Sequence, residues 1–117
     1  MNKYRDKSDF EINKAVAEIT IYGDWYLSPT DERPFTFFNY GINSSKTVEL
    51  PDYCNNPADA MPIIIENGIG MNYIDKDIGW GAYHFDEEKG ELEIYDKNYY
   101  RAAMICFLIM KDEENEK

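Results

Sequence analysis

Residues 52–69 read DYCNNPADAMPIIIENGI, and this stretch contains the clearest local structural signals in the chain. Asn55 or Asn56 can cap a helix, because a short side-chain oxygen accepts a hydrogen bond from a free amide of the first turn. Pro57 follows at a position that needs no amide donor. The Asn67-Gly68 pair then favours the end of the helix, because these residue types readily adopt the left-handed backbone conformation of a C-terminal cap. The sequence therefore predicts a short helix between these signals.

A second proline, Pro62, lies inside this predicted helix. Its missing N–H and its ring disfavour the preceding helical turn. We therefore expect an irregular first turn, or a helix that restarts at Pro62 and continues through the three isoleucines at 63–65.

The length and composition predict one globular domain over residues 1–117. The chain has 117 residues, of which 44% are hydrophobic and 15% aromatic, enough to bury a core. No signal-like leader opens it, and the longest apolar run, 102–110, is roughly half of the ~20 residues that a membrane span needs. We expect a protein of the cytoplasm with no membrane contact, in which Cys54 and Cys106 are reduced thiols.

The beginning of the chain predicts a first helix. Ser8 and Glu11 have the spacing of a capping box, so the helix should run from about residue 9 to residue 19. The apolar positions at helical spacing should face the core; they are Ile12, Ala15, Val16 and Ile19. The expected outer face consists of Glu11, Asn13, Lys14 and Glu18.

The remaining patterns predict strands and a final helix. Residues 20–27 favour a short strand or an aromatic loop, and residues 35–40 favour a strand whose aromatic residues form core or a ligand platform. Residues 28–34 and 43–46 are turn-rich and predict exposed loops. Three strands of an antiparallel meander are expected at 71–75, 79–85 and 91–96. The last helix, from residue 98 to about 111, is apolar nearly all round and should be buried.

These elements predict an α+β fold. A small antiparallel sheet of three to four strands should pack against two to three helices, one of them the buried C-terminal helix. Residues 1–7 should form a loose N-terminal arm and residues 112–117 a solvated acidic tail.

The charge of the chain disfavours nucleic acid and anionic membranes as direct partners. The formal net charge is −11, and residues 75–96 hold eight acids and two bases. The predicted acidic interaction patch consists of Glu87, Glu88, Glu91 and Glu93. This patch either keeps a small protein soluble or imitates a phosphate backbone for a DNA-binding partner.

The sequence contains no recognisable catalytic or metal-binding constellation. His84 is the single histidine, and neither cysteine lies near it in sequence, so we predict no metal and no cofactor. A cysteine nucleophile needs a neighbouring base. Cys54, in a polar turn, suits that role better than Cys106, which lies in the apolar helix.

A ligand-binding or partner-binding site is predicted around the start of the central helix. Its candidate residues are Tyr53, Asn55, Asn56, Asp59, Arg101 and Trp80. The polar groups either surround an anion or nucleotide edge at the helix N-terminus, or cap the helix and hold the preceding loop. Arg101 is either an ion-pair partner or a phosphate clamp.

Three blocks of sequence carry a family resemblance. They are SDFEINKAVAE at 8–18, DYCNNPADAMPII at 52–64 and RAAMICFL at 101–108. In order and spacing they resemble the NinX-like proteins of tailed bacteriophages and prophages. The resemblance implies a small accessory protein made in the cytoplasm of an infected or lysogenic bacterium, and it assigns no biochemical activity.

Three functions from different classes remain open at this point. The first is a non-enzymatic accessory protein that binds a host or defence protein, with an acidic DNA-mimic inhibitor as a variant of it. The second is a module that binds or sequesters a small nucleotide-type ligand. The third is a small enzyme, for which Cys54 and scattered carboxylates are the arguments. An oligomer is compatible with each.

Overall fold

The structure is a computed structural model that describes residues 3–21, 25–32, 36–41 and 46–115. Within these ranges three helices and six strands follow one another. In chain order they are α1 (Asp9–Thr20), β1 (Trp25–Leu27), β2 (Phe37–Tyr40), β3 (Lys46–Glu49), α2 (Pro57–Glu66), β4 (Gly70–Asp75), β5 (Gly79–Asp86), β6 (Gly90–Asp96) and α3 (Tyr99–Asn115). The strands form two antiparallel sheets, with orders β1-β2-β3 and β4-β5-β6. The predicted α+β class is confirmed, and the structure adds a second sheet to the predicted meander.

The C-terminal helix α3 lies at the centre of the fold. Every residue from Ala102 to Leu108 is buried, and the helix packs against β5, β6, α1 and α2. A helix that is apolar on all sides must be covered on all sides, because each exposed methylene would cost about 0.8 kcal/mol of transfer free energy. The prediction of a buried C-terminal helix is confirmed.

The described residues 3–7 and 112–115 are held to the fold more closely than a loose arm and a solvated tail would be. The last helix continues to Asn115, beyond the predicted end. Tyr4 is buried, and its hydroxyl donates a hydrogen bond of 2.6 Å to Asp112. Lys3 forms an ion pair of 3.2 Å with the same carboxylate. Tyr4 anchors the beginning of the chain, because its ring is part of the core and its hydroxyl reaches the end of α3.

Helix α1 begins at the predicted capping box. The Glu11 amide donates to Ser8 Oγ at 3.1 Å, and the Ser8 amide donates to Glu11 Oε1 at 3.0 Å. Ile12 and Val16 are buried as expected. The prediction that Asn13 faces solvent is wrong: its side chain is buried, because it satisfies polar groups of the 52–54 segment.

Helix α2 also begins where the sequence predicts. Asn56 is the N-cap, and its side-chain oxygen accepts a hydrogen bond of 3.0 Å from the Ala58 amide. The expected irregularity at Pro62 is wrong, since the helix is continuous from Pro57 to Glu66. Pro62 and Ala58 both lie on the exposed side, where water can satisfy the Ala58 carbonyl that the proline leaves without an amide donor.

The meander of β4, β5 and β6 has the predicted strands. Ala82 and Ile94 lie opposite each other on the buried face, under α3. The alternate positions Tyr83, Glu93 and Tyr95 are exposed on the other face. This alternation follows from the period of two along an extended chain.

The first sheet is only partly as predicted. Strands β1 and β2 lie within the segments expected to be extended, and Phe38 is fully buried with its ring 4.5 Å from the Trp25 ring. Strand β3 was not predicted, because Lys46–Glu49 has one apolar residue, Val48, in a polar segment. Of the predicted loop at 43–46, residues 43–45 lie outside the described residues and Lys46 begins β3. Part of the predicted loop at 28–34 also lies outside them.

The buried position of Phe107 gives a stability prediction. Phe107 is 2% exposed, so its replacement by alanine removes a large ring from a covered site and should lower the free energy of unfolding by about 3–5 kcal/mol. Phe85→Ala is the matched control, because Phe85 is 67% exposed and its truncation should change stability by less than about 0.5 kcal/mol. Urea unfolding of both variants checks this. Equal effects would contradict the assignment of α3 as the core helix.

Candidate functional site

A polar junction joins the 52–55 segment to the starts of α1 and α3. Its members are Asp9, Asn13, Asp52, Asn55, Asp96, Asn98 and Arg101. The buried Asn13 donates to Asp52 at 3.0 Å and accepts from the Cys54 amide at 2.9 Å. A buried amide side chain of this kind is stabilising when both of its polar ends are satisfied. Asn13 therefore fixes the path of the loop that leads into α2.

Asn55 connects this loop to both neighbouring helix starts. Its Nδ2 lies 3.2 Å from Asp9 Oδ2 and 3.1 Å from Asp52 Oδ1. Its side-chain oxygen accepts a hydrogen bond of 2.8 Å from Asn98. Asn98 in turn accepts from the amides of Tyr100 and Arg101 at the start of α3. The amide of Asn55 is thus occupied by interactions within the protein.

Arg101 holds the centre of the polar junction, with 12% of its side chain exposed. Nη1 donates to Asp9 at 2.7 Å and Nε donates to Asp96 at 3.1 Å. Nη2 donates to the carbonyls of Arg5 and Lys7 at 3.1 and 2.6 Å. Burial by itself would lower the pKa of Arg101, but the hydrogen bond to Asp9 and the charges of both carboxylates raise it above its ordinary value.

The donors of Arg101 are therefore largely committed to the fold. A guanidinium group has five N–H donors. The Arg101 guanidinium makes four hydrogen bonds, to Asp9, to Asp96 and to the two backbone carbonyls. Of the two roles open from the sequence, the geometry matches the ion-pair partner. A phosphate at this position would have to displace carboxylates that already neutralise the arginine.

The other predicted site residues converge on the polar junction only in part. Tyr53 is buried, with its hydroxyl 3.0 Å from Thr20 Oγ1. Asn56 caps α2, and Asp59 lies along the first turn of that helix. Trp80 lies apart from these residues, with its ring 5.3 Å from Tyr73 and 4.9 Å from Tyr99. The structure brings Asn55 and Arg101 together at the junction, and it places Asn56 and Asp59 around a hollow that Asp52 also lines. A shared ligand role for the six stays a prediction.

Two adjacent hollows lie beside the polar junction. They measure about 230 and 280 Å³ and share Glu49, Leu50 and Asp52. Ligand pockets usually enclose roughly 300–1,000 Å³. Their further carboxylates are Asp9, Asp31 and Asp59. Such a lining repels phosphate groups, and among the described residues no cluster of three metal-ligating side chains occurs.

Both cysteines are buried and free of disulfides. Burial raises the pKa of Cys54 to about 12, and the charge of Asp9 adds to the effect. Burial likewise raises the pKa of Cys106 to about 12. At neutral pH both side chains are therefore protonated thiols. A cysteine nucleophile has to be a thiolate. Cys54 lacks the activation that its polar turn suggested.

A second surface lies on the solvent side of the β4-β5-β6 sheet and includes two residues of the predicted acidic patch, Glu91 and Glu93. We define the outer face by its exposed large side chains and carboxylates: Ile74, Tyr83, Phe85, Glu91, Glu93 and Tyr95. Phe85 is 67% and Tyr95 is 52% exposed. The register pairs Tyr83 with Glu93 and Phe85 with Glu91 across β5 and β6. The alternation of aromatic residues along 83–95 was the signal that could have found this surface.

Glycines shape the outer face. A Cβ at Gly70 would overlap the Tyr83 ring, and a Cβ at Gly81 would lie 3.1 Å from the Tyr95 ring. Each ring therefore covers a glycine of the neighbouring strand, a cross-strand arrangement that protects the exposed backbone. The Tyr95 hydroxyl donates a hydrogen bond to Glu93, which raises the pKa of Tyr95.

The predicted acidic patch divides between the outer face and the turn beside it. Glu91 and Glu93 lie on the outer face, as predicted, while Glu87 and Glu88 lie in the turn between β5 and β6. Asp86 fixes this turn by accepting hydrogen bonds from the amides of Glu88 and Lys89 at 2.8 and 3.0 Å. All four glutamates are exposed, and their role in binding stays a prediction.

Comparisons with known proteins give a family and a fold. A family model described as "Bacteriophage P22, NinX" matches residues 3–111. The crystal structure of a phage protein from Bacillus cereus ATCC 14579 is similar in fold, with a TM-score of 0.66 and 15% identity. The similarity covers 89% of this chain and 92% of that one. No curated protein matches the sequence. Within the described residues, no helix is long and apolar enough to cross a membrane.

The hydrogen bonds of Arg101 predict a structural role. Replacement by methionine keeps most of the side-chain volume but leaves two carboxylates and two carbonyls without their donor. We expect Arg101→Met to lower the free energy of unfolding by about 1–3 kcal/mol, as for lost hydrogen bonds to charged groups. Arg5→Met is the matched control, since the Arg5 side chain is exposed and should contribute within about 0.5 kcal/mol. If the denaturation curve of Arg101→Met coincided with those of Arg5→Met and the wild type, the structural role of Arg101 would be contradicted.

Proposed function

The chain belongs to the NinX family of bacteriophage proteins, and we propose that it is a phage accessory protein that acts by binding a protein of the bacterial host, without catalysing a reaction. The observation that carries this proposal is the outer face of the β4-β5-β6 sheet. It presents large apolar and aromatic side chains to solvent on a rigid support, where no described element covers them.

The composition of the outer face is that of a protein interface. Tyr83, Phe85 and Tyr95 supply large rings, and Ile74 supplies an aliphatic neighbour. Aromatic residues are enriched at interfaces because they bury much apolar area for little loss of side-chain freedom. Single exposed apolar residues are ordinary, but a contiguous group of them on a folded surface marks an interaction site.

The polar junction supports the same proposal by its chemistry. A nucleotide-binding module would need free donors for phosphate, whereas the donors of Arg101 and Asn55 are directed to neighbouring groups of the protein. The hollows beside the junction are lined by carboxylates. An enzyme built on Cys54 would need a thiolate, which burial disfavours. These features favour a scaffold at the junction over a ligand or catalytic site.

The outer face also distinguishes protein binding from pure imitation of DNA. A phosphate-like surface needs regularly placed negative charges with solvent between them. Here Glu91 and Glu93 alternate with exposed rings. A partner that contacts this face would bury apolar area as well as charge, so its affinity should persist in moderate salt.

The family supports a proposal for the place of action. Proteins of a phage act in the infected or lysogenic bacterium, so we propose the cytoplasm as the compartment and a component of the host or of its defence as the partner. The two free cysteines are compatible with a reducing compartment.

Affinity capture tests the proposal. The tagged protein is expressed in a bacterium that carries the phage, and proteins retained by wild type and by Phe85→Ser are compared by quantitative mass spectrometry. Phe85 is the most exposed aromatic ring of the outer face, and loss of an aromatic anchor from an interface should weaken binding by about thirtyfold or more. The expected result is a partner that wild type retains and Phe85→Ser loses.

Tyr26→Ser is the matched control for this experiment. Tyr26 is 74% exposed but lies on β1, in the other sheet. It should retain the partner at the wild-type level, and circular dichroism should show both variants folded. A partner that Phe85→Ser retains fully would contradict the outer face as the binding surface.

A further inference from the structure

A small hollow lies in the middle of the outer face. It measures about 120 Å³ and is lined by Asn72, Ile74, Gly81, Ala82, Tyr83, Glu93 and Tyr95. This volume is well below the roughly 300–1,000 Å³ of a pocket for a small-molecule ligand. Its size therefore matches one side chain of a partner better than an independent ligand.

Gly81 lines the hollow and lets the side chains of Tyr95 and Ile74 lie close to the strand. Gly81 pairs with Tyr95 in the neighbouring strand, and a Cβ at this position would lie 3.1 Å from Tyr95 Cε1 and 3.4 Å from Ile74 Cδ1. A larger residue at this position would displace these two side chains. The rings of Tyr83 and Tyr95 line the same hollow.

The charge at the rim of the hollow is not compensated within the described residues. Glu93 lines the hollow, and Glu91 lies two residues away on the same face. Neither glutamate forms an ion pair among those found in the described ranges. The hydrogen bond from Tyr95 to Glu93 holds one ring and one carboxylate next to each other. A planar aromatic surface and a carboxylate are thus fixed at one site.

We propose that this hollow receives an arginine side chain of the partner protein. A guanidinium group is planar, stacks on aromatic rings and donates two parallel hydrogen bonds to a carboxylate. Its methylene stem suits the aliphatic contact offered by Ile74. A lysine ammonium group carries the same charge but has no planar group to stack on the aromatic rings. The inference rests on the proposed function, because it names the chemistry that the outer face selects in its partner.

The test uses a single arginine as the probe, so that no partner has to be known. N-acetylarginine amide is titrated into the ¹⁵N-labelled protein at constant ionic strength, and backbone amide signals are followed by NMR. We expect saturable shifts at Gly81, Ala82 and Glu93. N-acetylcitrulline amide has nearly the same shape without the charge, and it should bind clearly more weakly.

Two variants with the same charge change separate this site from general attraction. Glu93→Gln should weaken the arginine probe by about two- to fivefold, the effect of losing one exposed ion pair. Glu88→Gln removes a carboxylate from the turn and should leave the affinity at Gly81 unchanged. Tyr95→Leu, which keeps an apolar cover over Gly81, should weaken the probe by about two- to fivefold through loss of the cation–π contact.

Three results would overturn the inference: equal weakening by Glu93→Gln and Glu88→Gln, equal binding of arginine and citrulline, or shifts at Gly81 that do not saturate. If any of them occurs while Phe85→Ser still loses the captured partner, the outer face binds its partner without an arginine anchor. Saturable arginine binding together with full capture by Phe85→Ser would instead contradict the proposed function and leave the hollow as an isolated arginine site.

Discussion

The burial of α3 on all its sides is the constraint on which the rest of the structure depends. A helix with Ala102–Leu108 wholly buried cannot be covered by one layer. The β4-β5-β6 sheet covers one side, while α1 and α2 cover others. The polar junction sets the angle of this packing, because Arg101 ties the start of α3 to Asp9 of α1 and to Asp96 at the end of β6. Apolar burial supplies most of the free energy, and the directed hydrogen bonds select one arrangement.

This arrangement separates the polar groups that hold the fold together from the proposed binding surface. Asn55 and Arg101 looked most like a binding site in the sequence. In the structure their side chains hydrogen-bond to neighbouring segments and hold three of them together. The sheet that covers α3 uses one face for the core, so its other face is left to solvent with Phe85 and Tyr95 upon it. A rigid sheet is a good support for such residues, since rings that are already ordered lose little freedom on binding.

Much of the fold could be predicted because its signals are local. The capping box at Ser8, the Asn56 cap and the alternation along β5 and β6 each act within a few residues. The apolar continuity of α3 required burial whatever its neighbours were. What failed was decided by distant partners. Asn13 looked like a surface residue until Asp52, 39 positions away, supplied its hydrogen bond, and Tyr4 looked like part of a loose arm until Asp112, 108 positions away, accepted from its hydroxyl. The contacts of Arg101 depend on a distant residue in the same way, since Asp9 lies 92 positions away in the sequence.

Hydrogen exchange of the protein alone and in complex with the captured partner tests the central claim most directly, because it reports on every segment at once without a mutation. The account predicts new protection concentrated in the β4-β5-β6 sheet, residues 70–96, with residues 52–59 and the start of α3 exchanging as in the free protein. Protection that appears at residues 52–59 and Arg101 while the sheet stays unchanged would contradict it, and would place the binding site at the polar junction.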